Sequence, residues 1–414
     1  MKYRALPLLS LLLLVACYHT LLGQNTFSSP YSVYGLGMLN KRTASLNRVM
    51  GGTGIAVRDA MNINAANPAS YSAIVSPVSH VFEAGFYVES NRYAKSTMTE
   101  SQSNGGLNNL NYWFKFKPRW ASTFGLSPFS SVSYTITNQQ ELGAGEEANY
   151  TYEGSGNITQ LYWGNSFMLH KNLSVGVNLS FLFGSIHKTE SVAARSIPNM
   201  LTLDNKIYTN KFDADFGVQY SIPFGKRTVT LGAIYNNGLS LTGKSTAALY
   251  DQLNDTLNSW TKKSLQYTLP PTVGGGISLQ SSRSILTSDV RFEQWTKGKF
   301  PDNEELRFSD TWTMSAGYAY LGNPGGETFL DVLSFKTGFY WQNYYLNLKG
   351  LSLPNWGLSA GLSIPVFDGK SSINLTYSFD KLGTTQNNLI LQKSQKVIID
   401  VVIRDLWGVR RKFD

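Results

Sequence analysis

The chain has 414 residues, 42% of them apolar and only 15% charged, and is rich in Gly, Tyr and Phe. That composition excludes a chain of long helices and a disordered one. Its formal charge of +9, which falls to +7 once Lys2 and Arg4 leave with a leader, is spread thinly, without the Lys/Arg cluster that tracks a nucleic-acid backbone. Nucleic acid is therefore excluded as a partner, and basic turns and loops at an acidic lipid surface account for the charge. The length would hold two or three ordinary domains, but no linker divides it.

The chain opens with a basic Met1-Lys-Tyr-Arg4, an apolar run from Ala5 to Cys17, and Leu21-Leu-Gly23 as a cleavage site before Gln24. Residues 1–23 read as a signal peptide, so the protein is exported. The apolar run is shorter than the roughly 20 residues a spanning helix needs. Leu14-Val-Ala-Cys17 also resembles a lipobox, which would lipidate Cys17, but the apolar run ends better before Gln24. Cleavage after Gly23 leaves no cysteine, which removes disulfides and thiol chemistry together. His80, His170 and His187 are too scattered for a metal site, so neither metal nor cofactor is expected.

Residues 24–77 form the next segment. Ser29-Pro-Tyr-Ser-Val-Tyr-Gly-Leu-Gly37 and Met50-Gly-Gly-Thr-Gly54 hold too many glycines for a strand or helix, yet too little charge for a disordered tail. Asn62, Asn64 and Asn67 read as turns whose side chains satisfy their own backbone. Such a compact irregular segment needs shelter for its polar groups, and the polar inside of a barrel supplies it.

From residue 78 to 407 the chain alternates large apolar with small polar residues. Strands are predicted at about 78–90, 107–117, 119–138, 152–169, 173–187, 206–222, 227–242, 262–280, 284–296, 305–320, 331–345, 355–365, 371–381 and 394–407, fourteen in all. An even count suits a closed single-chain barrel. Leu173 to Phe183 shows the pattern, with Leu173, Val175, Val177, Leu179, Phe181 and Phe183 opposing Ser174, Gly176, Asn178, Ser180 and Leu182. Tight turns at Lys117-Pro-Arg119, His170-Lys-Asn172, Pro223 to Lys226, Ser281-Ser-Arg283 and Phe367 to Lys370 alternate with longer loops near 139–151, 188–205, 243–261 and 297–304. Membrane barrels alternate this way, with the tight turns periplasmic. Trp113, Trp120, Trp163, Tyr220, Trp341, Tyr344, Tyr345, Trp356 and Trp407 sit where strands should end and read as two aromatic girdles. A soluble β-sandwich also alternates, but with shorter strands and charged outer faces. The fold expected is all-β: a closed antiparallel transmembrane barrel of about fourteen strands with an irregular hatch in its lumen. Residues 408–414 form a charged tail on the periplasmic side.

Gly52-Thr-Gly-Ile-Ala-Val-Arg-Asp59, followed by Ala66-Asn-Pro-Ala-Ser70, resembles the N-terminal signature of the FadL/TodX family of outer-membrane hydrophobic-compound transporters. In that family a Gly/Ala-rich stretch, an aspartate and an Asn-Pro-Ala motif build a hatch that plugs a fourteen-stranded barrel. The resemblance covers the whole mature chain in architecture and about residues 47–74 in motif. It implies that Gly52, Gly54, Asp59, Asn67, Pro68 and Ala69 form the hatch motif, and Arg58 reads as a hatch contact, pairing with Asp59 to hold the plug in place. Ser29-Pro-Tyr-Ser32 and Trp407 to Phe413 are similar to the Bacteroidota branch, which is also similar to the barrel that shuttles cargo in type IX secretion.

The resemblance implies an outer-membrane, porin-like channel with both termini periplasmic. Hydrophobic molecules such as long-chain fatty acids bind in the lumen, the hatch moves, and the molecule leaves sideways through a gap in the wall. Gly125, Ser127 and Pro128 interrupt the third strand and match the kinked third strand of the family, although Pro128 also reads as an ordinary bulge. Partners implied are outer-membrane lipid and a hydrophobic ligand. The alternative is a barrel that transports nothing and serves as scaffold or docking component in a type IX-like secretion or outer-membrane assembly complex, with other outer-membrane or periplasmic subunits as partners. An enzyme is not expected, because the histidines converge on no nucleophile.

Overall fold

The computed structural model describes residues 29–40, 42–75, 78–96, 98–143, 146–194, 201–250, 255–299, 307–323, 325–367 and 371–405. Residues 1–23, read from sequence as a signal peptide and including Cys17, lie outside the described residues, as do Trp407 and the tail 408–414. The alternating segments form a closed, antiparallel barrel of 14 strands. These are β1 (His80–Lys95), β2 (Met98–Lys117), β3 (Trp120–Ser131, resuming as Tyr134–Gly143), β4 (Glu146–His170), β5 (Leu173–Ala194), β6 (Leu201–Phe224) and β7 (Arg227–Asn236, resuming as Leu239–Tyr250). There follow β8 (Thr256–Leu269, resuming as Thr272–Gln280), β9 (Ser284–Glu293), β10 (Thr311–Tyr320), β11 (Ser334–Leu348), β12 (Leu351–Val366), β13 (Ser371–Gly383) and β14 (Leu391–Asp405). Each strand pairs with the next, and β14 returns to β1 with Asp405 opposite His80 and Leu391 opposite Ala94, which leaves the sheet no outer edge.

Burial is inverted relative to a soluble protein. On β5 and β6, Leu179, Phe212 and Phe216 are exposed, Phe212 to 76%, while Ser174, Asn178, Ser180 and Gln219 are fully buried. Along β10 the alternation is unbroken from buried Thr311 to exposed Tyr320. Apolar side chains outside and polar ones inside are stable only where lipid surrounds the wall. No helix among the described residues is long and apolar enough to cross a membrane; the strands do so.

The two ends of the barrel differ. At one, called here the turn end, connections are mostly short, and Ser79 donates to the carbonyl of Asp405 at 3.1 Å, so the barrel begins and closes there. At the other, the loop end, the predicted loops are largely strand. β4, β5 and β6 hold 25, 22 and 24 residues, about twice the 9–11 that a crossing needs. The same holds for residues 91–95 and 98–106, which lie between two predicted strands and are folded as the ends of β1 and β2. Their Thr, Ser and Asn residues have no apolar beat to announce a strand, but they continue ladders already in register.

The aromatic girdles also need correction. Trp163, Tyr220 and Trp341 lie on the lipid face as predicted, but Trp113 is fully buried and donates to the carbonyl of Tyr71 at 2.9 Å. Tyr344 and Tyr345 are buried as well, because a register shift between Asn343 and Asn347 turns both toward the lumen.

Of the segment before the barrel, residues 42–75 fill the turn-end half of the lumen, while residues 29–39 reach toward the loop end, where Tyr31 and Leu36 pack with Tyr134, Leu182, Ile207 and Leu241. The segment contains a 3-10 turn at Pro30–Val33 capped by Ser29, a two-residue strand Met38–Leu39, helix α1 (Ser45–Val49) and a 3-10 turn at Pro68–Ala73 capped by Asn67. Ala44, Ile63, Tyr71 and Ile74 pack against Val81, Trp113, Ala121 and Val402 of the wall, and Leu46, Met50 and Val57 against Ile285 and Ala319.

Candidate functional site

The hatch is built around asparagines. Asn67 caps the second 3-10 turn by accepting from the amide of Ala69 at 3.0 Å, while its Nδ2 donates to the carbonyls of Ile55 at 2.7 Å, Val218 at 3.2 Å and Ala233 at 3.3 Å. One side chain thus orders the turn and ties it to β6 and β7. Asn64 donates to the carbonyls of Gly54 and Val57 and accepts from Asn47 Nδ2, which in turn donates to the carbonyl of Thr53. These chains satisfy backbone groups that no helix or sheet serves.

The wall is shaped to receive them. A Cβ on Gly217 of β6 would lie 2.0 Å from Asn67 Oδ1. The small inward beat of the strands is thus a seat for the hatch in the turn-end half of the barrel. Pro68 and Ala69 lie against β5, and the Ala69 carbonyl accepts from Ser166 Oγ at 2.8 Å. Gly54 packs against Asn47 and Asn64, and Gly52 makes a turn at φ +78° that favours glycine.

Inward carboxylates fasten the hatch from the wall. Asp289 Oδ2 accepts from the amides of Gly54 at 2.7 Å and Ile55 at 2.9 Å. Glu83 Oε1 accepts from the amide of Ser45 at 3.0 Å, and Arg48 forms an ion pair with Asp400. These carboxylates are absent from the site predicted from sequence. The signal is an acid on the inward beat of a lipid-facing strand, such as Asp400 in Ile398-Ile-Asp-Val-Val402.

Arg58 and Asp59 do not form the predicted pair. Arg58 reaches the wall, donating to Gln219 Oε1 at 3.1 Å and to Ser174 Oγ, and inside the hatch to Ser72 Oγ at 3.3 Å. Burial pulls its guanidinium down to about 10, still protonated at neutral pH. Asp59 turns the other way and accepts from the amides of Met61 at 2.7 Å and Asn62 at 2.8 Å. Adjacent residues in an irregular chain project in divergent directions, so neighbours in sequence need not meet. The histidines are also apart: His80 lies 2.7 Å from the Tyr112 hydroxyl at the turn end, His170 is exposed at the end of β4, and His187 contacts Asp204 near the loop end.

Beyond the hatch lies a cavity of about 610 Å³. Its floor is polar: Arg42 bonds Asp215 at 2.7 Å and sits 4.6 Å from the centre of the Tyr162 ring, and Asn236 bridges Asp213 and Asp215. Toward the loop end it meets an apolar cluster that includes Leu269, Trp295, Tyr344 and Tyr345, with Trp295 and Tyr345 stacked at 4.0 Å.

The third strand is corrected in detail. β3 does not stop at Pro128; it continues to Ser131, with Pro128 opposite Thr159 of β4 and a bulge at Phe129, and breaks only at Val132 and Ser133. What ends is its ladder with β2, at Leu110 opposite Leu126. Gly125 serves packing, since a Cβ there would lie 2.2 Å from the Tyr162 ring, and Ser127 is buried. Past the end of that ladder, Met38 and Leu39 of the hatch pair with Ser131 and Ser130.

A closed barrel of this strand number with a bonded N-terminal hatch has the fold of the FadL-like β-barrels. The structure is similar to the toluene transporter TodX of P. putida, with TM-score 0.60 at 17% identity, covering 87% of this chain and 97% of that one. It is also similar to a Pseudomonas aeruginosa FadL homologue (TM-score 0.59, 12% identity, 89% and 99% covered) and to the toluene transporter TbuX of Ralstonia pickettii (0.57, 13%, 87% and 97%). No curated protein matches the sequence. The family model described as BamG matches residues 7–414, and the chain belongs to that family.

Proposed function

We propose that this protein is a channel for hydrophobic small molecules, long-chain fatty acids among them. They enter at the loop end, bind in the cavity beyond the hatch, and leave sideways between β2 and β3 when the hatch shifts. One observation carries this reading: the cavity is lined from both sides of the place where the ladder ends, by Asn108 of β2 and by Pro128 and Phe129 of β3. Proline has no N–H to offer a neighbouring strand, so Pro128 keeps the wall from zipping further. The cluster around Trp295 and Tyr344 suits a hydrocarbon body. In this reading Gly52, Gly54, Arg58, Asp59, Asn67, Pro68 and Ala69 hold the floor of the path, and the turn end faces the periplasm. Uptake of labelled fatty acid by a deletion strain and its complemented parent tests it. Uptake should fall in the deletion, and Pro128→Ala should lower it while expression and heat-modifiable migration stay normal. Unchanged uptake in the deletion strain overturns the channel; unchanged uptake in Pro128→Ala removes only the side exit.

The strength of the hatch bonding favours a second reading, in which the barrel stays shut and serves as scaffold or docking subunit in a secretion or outer-membrane assembly complex. A buried ion pair and the Asn67 bonds to two strands resist a motion that transport requires. Affinity purification that recovers a stoichiometric partner from a strain with normal uptake supports it; recovery of the monomer alone counts against it.

A further inference from the structure

Three successive connections at the turn end carry exposed cations and no carboxylate. Lys117 and Arg119 flank the β2–β3 turn, Lys171 follows His170 in the β4–β5 turn, and Lys226 and Arg227 form the tip between β6 and β7. Neighbouring strands stand roughly 4.8 Å apart, so alternate tips are on the order of 10 Å from one another. The three tips therefore make a basic arc along one side of the barrel. Exposed Arg283 in the β8–β9 turn continues the arc, which ends at the connection of β10 and β11, where Glu327 and Asp331 lie.

An aromatic collar lies directly beside these cations on the lipid face. Phe116 packs on Trp120 at 4.6 Å, and Trp120 stacks on Phe167 at 5.5 Å. Leu169 and Phe224 are 59% and 72% exposed, next to His170 and two residues from Lys226. Trp and Phe at strand ends mark the level where hydrocarbon gives way to headgroups. Cations within two or three residues of that collar stand at the height of the phosphates.

We propose that this arc is a binding surface for anionic phospholipid headgroups of the leaflet at the turn end. An acidic protein would need the cations to project beyond the membrane, whereas here they adjoin side chains that lipid covers. Each such cation strengthens association with an acidic leaflet by roughly fivefold.

The full chain, reconstituted in nanodiscs of phosphatidylcholine with increasing phosphatidylglycerol and released for native mass spectrometry, should retain phosphatidylglycerol in preference to phosphatidylcholine. Combining Arg119→Gln, Lys171→Gln, Lys226→Gln and Arg227→Gln should lower that preference at least tenfold. Arg119→Lys with Arg227→Lys, and the loop-end control Lys95→Gln with Lys349→Gln, should leave it intact. Normal heat-modifiable migration of each variant establishes that the barrel has formed. No preference in the parent chain, or a preference unchanged in the fourfold variant, overturns the proposal. So does a fourfold variant that keeps its lipids but loses an acidic protein partner.

Discussion

Met38 of the hatch lies opposite Ser131 of the wall. With Leu39 opposite Ser130, and the Asn40 amide donating to the carbonyl of Phe129 at 2.8 Å, it extends the sheet past the end of the β2–β3 ladder. The approach depends on Gly37, which has φ +86° and where a Cβ would lie 2.3 Å from the Ser131 carbonyl oxygen. Gly37→Val adds a left-handed conformation costing about 1–2 kcal/mol and a clash with backbone. It should detach this short ladder and raise the single-channel conductance of the purified barrel in planar bilayers. Conductance equal to the parent's means that Met38–Leu39 does not seal the wall.

Asn67→Ala removes one turn cap and three donated hydrogen bonds at once. Loss of the cap alone costs about 1 kcal/mol, and stranding buried carbonyls adds about 1–3. The barrel should still form, with a loosened hatch. Hydrogen exchange should speed up across residues 45–75 and stay slow in β5 and β6; uniform protection would refute the role of Asn67 as a pin.

Two hatch arginines should respond differently to glutamine. Arg48→Gln leaves the fully buried Asp400 carboxylate without its partner and should cost about 3–5 kcal/mol. Arg58→Gln loses bonds to uncharged groups only, three side chains and the Ala69 carbonyl, and should cost about 1–2 kcal/mol. Urea unfolding in micelles, followed by tryptophan fluorescence, gives the ranking. Equal losses would mean that the ion pair adds nothing beyond its hydrogen bonds.

The two faces of the wall make a further contrast. Phe216 is half exposed on the lipid side, and Phe216→Arg should cost about 2–4 kcal/mol near the bilayer midplane. Ser378→Lys, which lines the cavity beside Asp380, should cost less than 1 kcal/mol. Folding titrations in lipid vesicles measure both, and a tolerated Phe216→Arg would place that residue away from the midplane.

The sequence by itself determined the number of strands in the barrel and the direction of most of their faces, because a two-residue period is a local property and repeats in every segment. It also marked the hatch segment through its glycines and through Asn67-Pro68-Ala69. Tertiary structure alone decided what the small face meets. Gly217 receives Asn67, Trp113 turns inward to the Tyr71 carbonyl, and Arg58 and Asp59 part company, all through contacts between residues far apart in the chain. The same holds for the wall beside Pro128. A proline can be read from the chain, but where a ladder stops is a property of two strands. Only the register of Leu110 against Leu126, and of Met38 against Ser131, shows which strand lets go and which segment takes its place.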